Sequence, residues 1–576
     1  MSIFDIFRKR KEIPKPWSKY YTEEEMDIKI PDISLYKQLK NTANKYPDNY
    51  AYRYLGKNVT YEKFIKQIDK AARSFKEMNV KKGDVVTFCM PNIPEVIIGF
   101  YALNKIGAIA NMVHPLSSEQ EIKEAVVSTK SKYIVMVDIF YDKVKNTLKG
   151  TQIKNVIYVS PSNSMNLLLK VGYKLINIGK YKRFPKDRFY ISWKKFIRKS
   201  NCCKEIIKDK YGKDTPAVIL HSGGTSGKPK NVVLQNRSFL MAVQQEKIFL
   251  KYLNVGDSVL AIMPNFHGFG LSVCMHSTMT IGFTSILVPQ FDATKFDILF
   301  KKNRPSVVLG VPTLYEALIK NNNVKNLDLS FLKMAISGGD MLSKTLEDKV
   351  NNYFEEHGSP AKITQGYGMT EALAAVCIGI ADINKSGSIG IPLPGNNIKI
   401  INPSTRKTNP YNVVGEICIN NKALMMGYLN NETETNQALQ IHDDGHVWLH
   451  SGDLGYMDED GFIFCKGRIK RMIITSGYNV YPSHIEEVIQ SHPAVLQCTV
   501  VGVPHPYKQE VPKAFIVLKE GYLPIFVKNE IKEHCKKNLA KYMVPKDFIF
   551  RKKLPKTKLG KVDFKKLQSD IGGSDE

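Results

Sequence analysis

The segment HSGGTSGKPK, residues 221–230, has the composition of a loop that binds phosphate groups. Its glycines let the backbone approach an anion closely, its Ser and Thr hydroxyls donate hydrogen bonds, and its lysines add positive charge. It differs from a Walker loop, which requires Gly where Ser222 stands and Ser or Thr where Pro229 stands. Taken alone, such a segment is more often an ordinary turn, so the prediction of a triphosphate site depends on the rest of the chain.

Four more motifs follow in order along the chain. They are QGYGMTE at 365–371, SGDLG at 451–455, GRIKRMIITSGYNVYP at 467–482 and PKTKLGK at 555–561. Together with the phosphate loop they resemble the acyl-adenylate-forming superfamily, which includes acyl-CoA synthetases, aryl-CoA ligases, luciferases and peptide-synthetase adenylation domains. The resemblance covers about residues 34–567. It implies an enzyme that activates a carboxylic acid with ATP.

The resemblance also implies where ATP binds. Tyr367 is expected to lie against the adenine, because an aromatic face suits a purine. Asp453 is expected to accept hydrogen bonds from both ribose hydroxyls, with Arg468 near the ribose and phosphates. The glycines of SGGDM, residues 337–341, are expected to line the adenine pocket. The implied nucleotide-binding residues are Ser222, Gly223, Gly224, Thr225, Ser226, Gly227, Gly338, Gly339, Gly366, Tyr367, Asp453 and Arg468.

Four side chains are expected to take part in the chemistry by the same resemblance. Lys230 and Thr370 would contact the phosphates, and Glu371 would hold Mg²⁺, which prefers hard oxygen ligands. Lys561 matches a lysine on a mobile C-terminal loop that neutralises the charge developing as the α-phosphate is attacked. Losing one such group commonly costs on the order of 10²–10³ in rate.

The implied reaction has two steps and uses ATP, Mg²⁺ and coenzyme A. The carboxylate first attacks the α-phosphorus of ATP, giving acyl-AMP and pyrophosphate. The small C-terminal domain would then rotate about a hinge at Lys470, a motion that commonly runs on the µs–ms scale. This rotation would bring Gly477 towards the acyl site and open a tunnel through which the CoA thiol displaces AMP.

The acid is less well specified than the chemistry. The segment NFHGFG, residues 265–270, resembles the acyl-site motif of the family and places His267 beside the substrate carboxylate. The motif contains no acidic partner for an α-amino group, which favours an apolar tail over an amino acid. The residues predicted to form an apolar pocket are Phe266, Phe269, Val311, Pro312, Tyr315, Gly338 and Ala372.

The N-terminal stretch KPWSKYY and the TANKYPDNYAYRYLGKNVTYEKF segment after it look most like long-chain fatty acid–CoA ligases. The prediction is therefore a fatty acid–CoA ligase. The alternatives are an aryl or medium-chain acid ligase, a carrier-protein thiol in place of CoA, and a non-catalytic nucleotide-binding regulator. The chain departs from the usual phosphate loop at His221, Gly223 and Asn231. None of these departures affects Glu371, Asp453 or Lys561, so an active enzyme is expected.

Strands and helices alternate over two long stretches, which predicts an α/β fold with mostly parallel sheets. The second stretch begins at PAVILHSGG, and residues 388–466 have the closely spaced strands of a β-rich subdomain. The predicted organisation is a basic extension at 1–33, an N-terminal domain at 34–469 with a basic insertion at about 161–210, and a small mobile α+β domain at 470–576.

Composition and charge limit the classes of protein. With 576 residues, 43% hydrophobic and 24% charged, the chain is neither disordered, collagenous nor a small disulfide scaffold. Nine scattered cysteines without a C-x-x-C pair argue against a structural zinc site, and the N-terminus lacks a signal peptide's apolar region. A cytoplasmic protein is expected; oligomeric state is left open.

The formal net charge of +28 is concentrated, since residues 1–20 and 167–199 contribute half of it. Both segments also carry apolar side chains, so they predict peripheral contact with an anionic membrane, with a solvated loop as an equal alternative. Nucleic acid is a weaker interpretation, because no recognised binding motif accompanies the charge. The uncharged stretch 269–289 is long enough to span a bilayer but is predicted to be a buried helix followed by a strand.

Overall fold

The computed structural model shows four β-sheets among the residues that it describes. It describes residues 13–148, 150–176, 184–185, 188–222, 230–324, 327–373, 375–380, 382–475, 478–557 and 562–572. Two of the sheets are large, with eight and nine strands, and two have five strands each. The large sheets and the first five-stranded sheet belong to the N-terminal part of the chain, and the fourth sheet is formed after residue 472.

The eight-stranded sheet has the spatial order β19-β9-β8-β4-β3-β5-β6-β7. Its strands β8, β4, β3, β5, β6 and β7 are parallel neighbours, whereas β9 and β19 add on antiparallel. Runs of β-branched residues buried on both faces account for the parallel strands. The strands are β3 (Val85–Cys89), β4 (Ile109–Val113), β5 (Tyr133–Val137), β6 (Asn155–Val159), β7 (Tyr190–Ser192), β8 (Pro216–Ser222), β9 (Lys230–Gln235) and β19 (Gly427–Tyr428).

The nine-stranded sheet has the order β16-β15-β14-β13-β12-β10-β11-β1-β2. Its six central strands are parallel and its edges are antiparallel. The strands are β1 (Tyr50–Tyr54), β2 (Lys57–Thr60), β10 (Ser258–Ala261), β11 (Thr284–Leu287), β12 (Val307–Gly310), β13 (Met334–Gly338), β14 (Ile363–Gly368), β15 (Ala375–Ile378) and β16 (Ile391–Pro392).

The two smaller sheets are mainly antiparallel. One has the order β17-β18-β21-β20 with β22 paired to β21, and the other has the order β24-β23-β26-β25 with β27 parallel to β26. The strands are β17 (Asn397–Ile401), β18 (Gly415–Asn420), β20 (Leu439–Ile441), β21 (Val447–Met457), β22 (Ile463–Arg468), β23 (Ile473–Thr475), β24 (Tyr478–Val480), β25 (Val495–His505), β26 (Gln509–Leu518) and β27 (Asp547–Phe550).

The helices begin where the sequence provides caps. Ser34, Thr60 and Ser118 accept a hydrogen bond from the backbone three residues on, which satisfies an amide that the helix itself leaves unpaired. The helices are α1 (Glu23–Met26), α2 (Leu35–Lys45), α3 (Tyr61–Glu77), α4 (Pro94–Lys105), α5 (Glu119–Ser128), α6 (Tyr141–Val144), α7 (Leu167–Ile176), α8 (Trp193–Arg198), α9 (Asn236–Glu246), α10 (Thr278–Thr280), α11 (Phe296–Asn303), α12 (Pro312–Lys320), α13 (Lys344–Glu356), α14 (Glu432–Ala438), α15 (Pro482–Gln490), α16 (Pro524–Asn538) and α17 (Phe564–Gly572).

One continuous core joins the two large sheets. Phe88 of β3 and Val259 of β10 lie in the same buried cluster, together with Phe64 of α3 and Phe239 of α9. All twelve residues of α4 are buried, and its polar side chains Glu95, Asn104 and Lys105 are hydrogen-bonded to neighbouring elements. The helices packed in this core hold the sheets in one fixed arrangement. The C-terminal sheet has a separate core with α15 and α16.

The fold class predicted from the sequence is confirmed: a large α/β domain with a β-rich part is followed by a small α+β domain. The stretch 269–289 forms a π-helix at Phe269–Ser277, α10 and β11, as a buried helix and strand were predicted. In the part of the chain that the structure describes, no helix is long and apolar enough to cross a membrane.

Two basic segments are tied to the fold more closely than their composition indicated. Trp17, in the N-terminal extension, is fully buried in the largest core. Within the basic insertion, β7 extends the eight-stranded sheet and Phe196 of α8 is fully buried. Both segments are therefore partly packed against the fold. Helix α7, which precedes β7 in the basic insertion, exposes apolar side chains.

Candidate active site

The candidate site begins where the parallel strands of the nine-stranded sheet end. Gly338 closes β13 and is paired with Gly366 of β14, so both lie at the carboxyl edge of the sheet. Gly339 has φ of +79°, a left-handed conformation that favours glycine and turns the chain away from the strand. Crevices at this edge of open α/β sheets are the usual ligand sites, and the predicted adenine-pocket glycines meet there.

A strand of the neighbouring sheet brings a buried carboxylate to this edge. Asp453, in β21, is 5% exposed, and its Oδ2 accepts a hydrogen bond of 2.7 Å from the hydroxyl of Tyr367 in β14. Its Oδ1 lies 2.8 Å from Nε of Arg468, the residue opposite it in β22. Three residues that were predicted separately from the sequence are therefore in direct contact.

The charges in this group stabilise one another. Partial desolvation lowers the pKa of Arg468, whose side chain is about half exposed, but the carboxylate of Asp453 and the neighbouring Tyr367 and Glu371 outweigh it, so the pKa is raised. Burial and the negative charge of Asp453 raise the pKa of Tyr367 well above its usual value, which keeps its hydroxyl as a donor. A carboxylate has about four acceptor positions, which is the chemistry that the predicted bonds from two ribose hydroxyls require.

The backbone before Asp453 is held by residues that the sequence reasoning missed. The carboxylate of Glu416 in β18 accepts bonds from the Gly452 amide, at 3.1 Å, and lies 2.9 Å from Nδ1 of His450. Cys418 completes a group whose potential metal-ligating atoms lie within 4.8 Å of one another, and the hydrogen bonds account for that closeness. The signal available in the sequence was the Glu of the strand segment GEICIN, because this strand, β18, pairs with β21.

The predicted Mg²⁺ ligand, Glu371, lies in a 3₁₀ turn directly after β14. Its side chain is 7% exposed, and Oε1 accepts a hydrogen bond of 2.9 Å from the hydroxyl of Tyr428 in β19. The backbone carbonyl of Glu371 accepts a second bond from Met425. A buried carboxylate with one oxygen fixed and hard donor chemistry fits a divalent cation. Tyr428 was not predicted. It is the Tyr of the segment MMGYLNN and lies in the short strand β19.

Lys230 approaches the same tyrosine from the eight-stranded sheet. It opens β9 opposite Ser222, the last residue of β8, so the two predicted phosphate contacts form the base of one hairpin. Its Nζ lies 2.8 Å from Glu434 and 4.6 Å from the centre of the Tyr428 ring. The rest of the predicted phosphate loop, Gly223, Gly224, Thr225, Ser226 and Gly227, lies outside the described residues.

An elongated apolar cavity opens from the carboxyl edge of the nine-stranded sheet. It encloses about 1210 Å³ not filled by protein atoms, part of which is open to solvent. One face of three parallel strands forms its wall, because side chains two residues apart point the same way. These residues are Val259 of β10, Val307 and Leu309 of β12, and Met334, Ile336 and Gly338 of β13.

His267 and Phe269 line the same cavity at the start of the π-helix. The Nδ1 of His267 accepts a hydrogen bond of 3.2 Å from the Phe269 amide, which fixes the ring. The predicted pocket is partly wrong: Phe269, Gly338 and Ala372 line the cavity, whereas Phe266, Val311, Pro312 and Tyr315 do not. Tyr315 packs into the core on the opposite face of the sheet. Its hydroxyl bonds two strand carbonyls there.

Three predicted residues belong to the C-terminal part of the site. Lys470 is exposed in a 3₁₀ turn, Ile469–Arg471, which connects β22 of the third sheet to β23 of the fourth. The predicted hinge is therefore the covalent link between the two sheets. Gly477 and Lys561 lie outside the described residues, so their roles stay predictions.

Two protein-family models match the chain. The model described as AMP-binding enzyme matches residues 39–429, and the model described as AMP-binding enzyme C-terminal domain matches residues 484–561. The first covers the two large sheets and the site residues up to Tyr428. The second covers most of the C-terminal sheet and reaches Lys561.

Curated relatives are similar over nearly their whole length. The long-chain-fatty-acid–CoA ligase of Bacillus subtilis is 31% identical over 95% of this chain and 96% of its own. Probable 4-coumarate–CoA ligase 1 of Dictyostelium discoideum is 30% identical over 95% of this chain and 97% of its own. Among solved structures, ATP-bound MatB from Rhodopseudomonas palustris has a TM-score of 0.81 at 22% identity, covering 94% of this chain and 99% of that one, which shows the same fold.

Replacing Asp453 by Asn tests the ribose assignment. Asn offers one acceptor oxygen instead of two and removes the charge that Arg468 faces, so we expect the Kd for ATP to rise about 10- to 100-fold. Isothermal titration of the purified variant measures this. Asp460→Asn is the matched control, because Asp460 is an exposed carboxylate just beyond the same strand, paired with Lys19 and Lys385. Equal affinities for both variants would contradict the assignment.

Proposed function

Because the chain belongs to the AMP-binding enzyme family of adenylate-forming acid–CoA ligases, we propose that it converts a long-chain fatty acid to its CoA thioester. The family uses ATP and coenzyme A, and these are substrates of this chain. The observation that carries the fatty-acid proposal is the apolar cavity, which begins beside the predicted nucleotide residues and runs along the strands of the nine-stranded sheet.

The length of the cavity favours a chain over a ring. Its wall includes every inward-facing residue of β13 from Gly338 back to Met334, which at about 3.3 Å per residue is a run of about 13 Å. Further apolar residues continue it at the strand starts, where Phe249, Leu253 and Phe283 enclose the far end. A single aromatic ring would leave much of this apolar surface unfilled, whereas a flexible acyl chain would cover it.

In the first step the acid carboxylate attacks the α-phosphorus and pyrophosphate leaves. The acyl chain in the cavity would place its carboxylate beside His267. Asp453 and Tyr367 would fix the nucleoside, while Lys230 and Thr370 would hold the phosphates against the attacking oxygen. Glu371 would hold Mg²⁺, which when bound supplies positive charge to the phosphates. Lys561 would neutralise the charge that develops at the α-phosphate.

In the second step the CoA thiol attacks the acyl carbonyl and AMP leaves. We propose that the C-terminal part rotates at Lys470 between the steps. This turn is a natural pivot, because it lies between two sheets with separate cores and its side chain is exposed. The rotation would exchange the loop that carries Lys561 for the loop that carries Gly477.

An aryl acid is the second candidate. A probable 4-coumarate–CoA ligase is as similar to this chain as most of the fatty-acid ligases, so sequence identity does not separate the two substrates. The activity assay described next also distinguishes the proposal from the remaining alternatives, which are a medium-chain acid, a carrier-protein thiol and a non-catalytic regulator.

The acid is identified by AMP release with MgATP and CoA across acetate, octanoate, palmitate, oleate, benzoate and 4-coumarate. We expect the highest kcat/KM with palmitate or oleate, because these acids fill the cavity. A maximum with 4-coumarate or benzoate would contradict the substrate but keep the reaction. If the protein bound ATP but released AMP with none of the acids, the result would favour the non-catalytic regulator over the enzyme.

Replacing Lys561 by Ala tests the first step. We expect acyl-AMP formation to slow about 10²- to 10³-fold, because an electrostatic contact to the developing charge is lost, while the Kd for ATP changes little. Single-turnover quench measurements give the rate. Lys553→Ala removes an exposed lysine from the same basic tail and should leave the rate unchanged. Equal rates for both variants would overturn the assignment.

We further propose that α7 brings the enzyme to an anionic membrane surface. Its side chains Leu167, Leu168, Val171 and Leu175 are 77%, 85%, 52% and 61% exposed. Apolar side chains this exposed on one helix are unusual for a surface in water, and the basic residues of 167–199 complement anionic headgroups. A substrate that partitions into lipid would be taken up there.

The membrane proposal is tested by sedimentation with vesicles. We expect the wild type to bind phosphatidylglycerol-containing vesicles and to bind phosphatidylcholine vesicles weakly. The double variant Leu167→Ser and Leu168→Ser should lose about 10-fold or more in affinity, because two apolar insertions are removed. Leu116→Ser is the control, since Leu116 is 64% exposed elsewhere. No difference between the variants would reject α7 as the contact.

A further inference from the structure

A carboxyl group lies in the wall of the apolar cavity. Glu246, the last residue of α9, lines the cavity together with Phe249, Val273 and Phe283. Gly338 and Gly366, predicted nucleotide contacts that line the same cavity, lie towards the carboxyl ends of their strands, whereas Phe283 directly precedes β11 at the opposite end. The chemistry of the acyl-adenylate reaction described above makes no use of Glu246.

The surroundings of Glu246 favour the protonated form of its carboxyl group. Burial raises its pKa well above the ordinary value. The neighbouring Ser277 is the one side chain that acts in the opposite direction. A protonated carboxyl has one O–H donor and keeps acceptor positions on both oxygens, so it can bond a hydroxyl in either direction.

The hydrogen-bonding capacity at this point is not used by the protein. The Ser277 side chain is fully buried next to Glu246, yet its hydroxyl completes no hydrogen bond of good geometry within the described part of the chain. Other polar groups along the wall bond to backbone carbonyls: Gln245 to Pro394, Ser238 to Ala423 and Thr278 to Val273. Glu246 is therefore a polar group of the wall with spare capacity, and Ser277, which does not itself line the cavity, lies next to it.

The pair sits well along the path of an acyl chain. Phe269 begins the π-helix beside the His267 end of the cavity, and Ser277 ends it eight residues later. At a helical rise of ~1.5 Å per residue this separation is on the order of 10 Å. A group bonded there belongs to the distal half of a long chain.

We propose that Glu246, with the buried Ser277 beside it, forms a polar subsite that recognises a hydroxyl on the distal half of the fatty acid, so that a hydroxylated long-chain acid is the preferred substrate. This rests on the proposed fatty-acid function. A plain hydrocarbon chain would cover the Glu246 carboxyl without giving it a partner, whereas a hydroxyl would bond it. Sites that bond a substrate hydroxyl reject the analogue without it more strongly than apolar pockets reject an added one.

The test compares kcat/KM of full-length enzyme for hexadecanoate and its 3-, 10-, 12- and 16-hydroxy derivatives. We expect one or more of the distal hydroxy acids to exceed hexadecanoate about 10- to 100-fold. The 3-hydroxy acid is the positional control and should gain nothing, because its hydroxyl lies at the carboxylate end. Equal kcat/KM for hexadecanoate and all distal hydroxy acids would overturn the subsite and leave the fatty-acid function standing.

Two variants assign the preference to its residues. Glu246→Met is expected to remove the preference by raising kcat/KM for hexadecanoate and lowering it for the hydroxy acid. Glu246→Gln keeps a donor and an acceptor and should retain the preference, so it is the matched control; Ser277→Ala should reduce it. An unchanged ratio in both Glu246→Met and Ser277→Ala would overturn the assignment. Turnover of aryl acids alone would instead reject the fatty-acid function and the subsite together.

Discussion

The hydrogen bond from Tyr367 to Asp453 joins the nine-stranded sheet to the third sheet, and the geometry of the nucleotide end depends on it. A buried carboxylate is costly unless it is paired, and here it is paired by two side chains from different strands. Hydrogen bonds to charged groups contribute about 1.5–3 kcal/mol each. The pairing fixes Asp453 near the strand-end glycines, where we propose that the nucleotide binds.

Two further contacts extend this arrangement across all the N-terminal sheets. Tyr428 of the eight-stranded sheet bonds Glu371, which follows β14 of the nine-stranded sheet, and Lys230 lies over the ring of Tyr428. Glu371 and Asp453 both contribute to the raised pKa of Arg468, so these contacts are coupled electrostatically to the Asp453–Arg468 pair. Three sheets with different topologies therefore supply one site, and none of them contains it alone.

The sequence was sufficient for the parts that local pattern determines. Alternating strands and helices predicted the α/β class, and ordered motifs predicted Asp453, Tyr367 and Arg468, which the fold brings into contact. The pocket was predicted less well, because the sequence does not say on which face of a sheet a residue lies. Tyr315 is a large aromatic residue shortly after β12, yet helix α12 carries it into the core on the other face of the nine-stranded sheet. Glu246 was missed because a Glu at the end of a helix normally indicates solvent.

The two ends of the cavity are built differently, and this difference bears on how substrates vary among relatives. At the nucleotide end the shape depends on backbone, through Gly338, Gly339 and Gly366, and on charges bonded between sheets. At the other end it depends on interchangeable side chains of strands and of α9, such as Val259 and Met334. A change there alters the volume or polarity of the cavity without moving Asp453 or Glu371. Relatives named for long-chain and for aryl acids are similarly identical to this chain, which is the result expected if the acid is determined by few positions such as these.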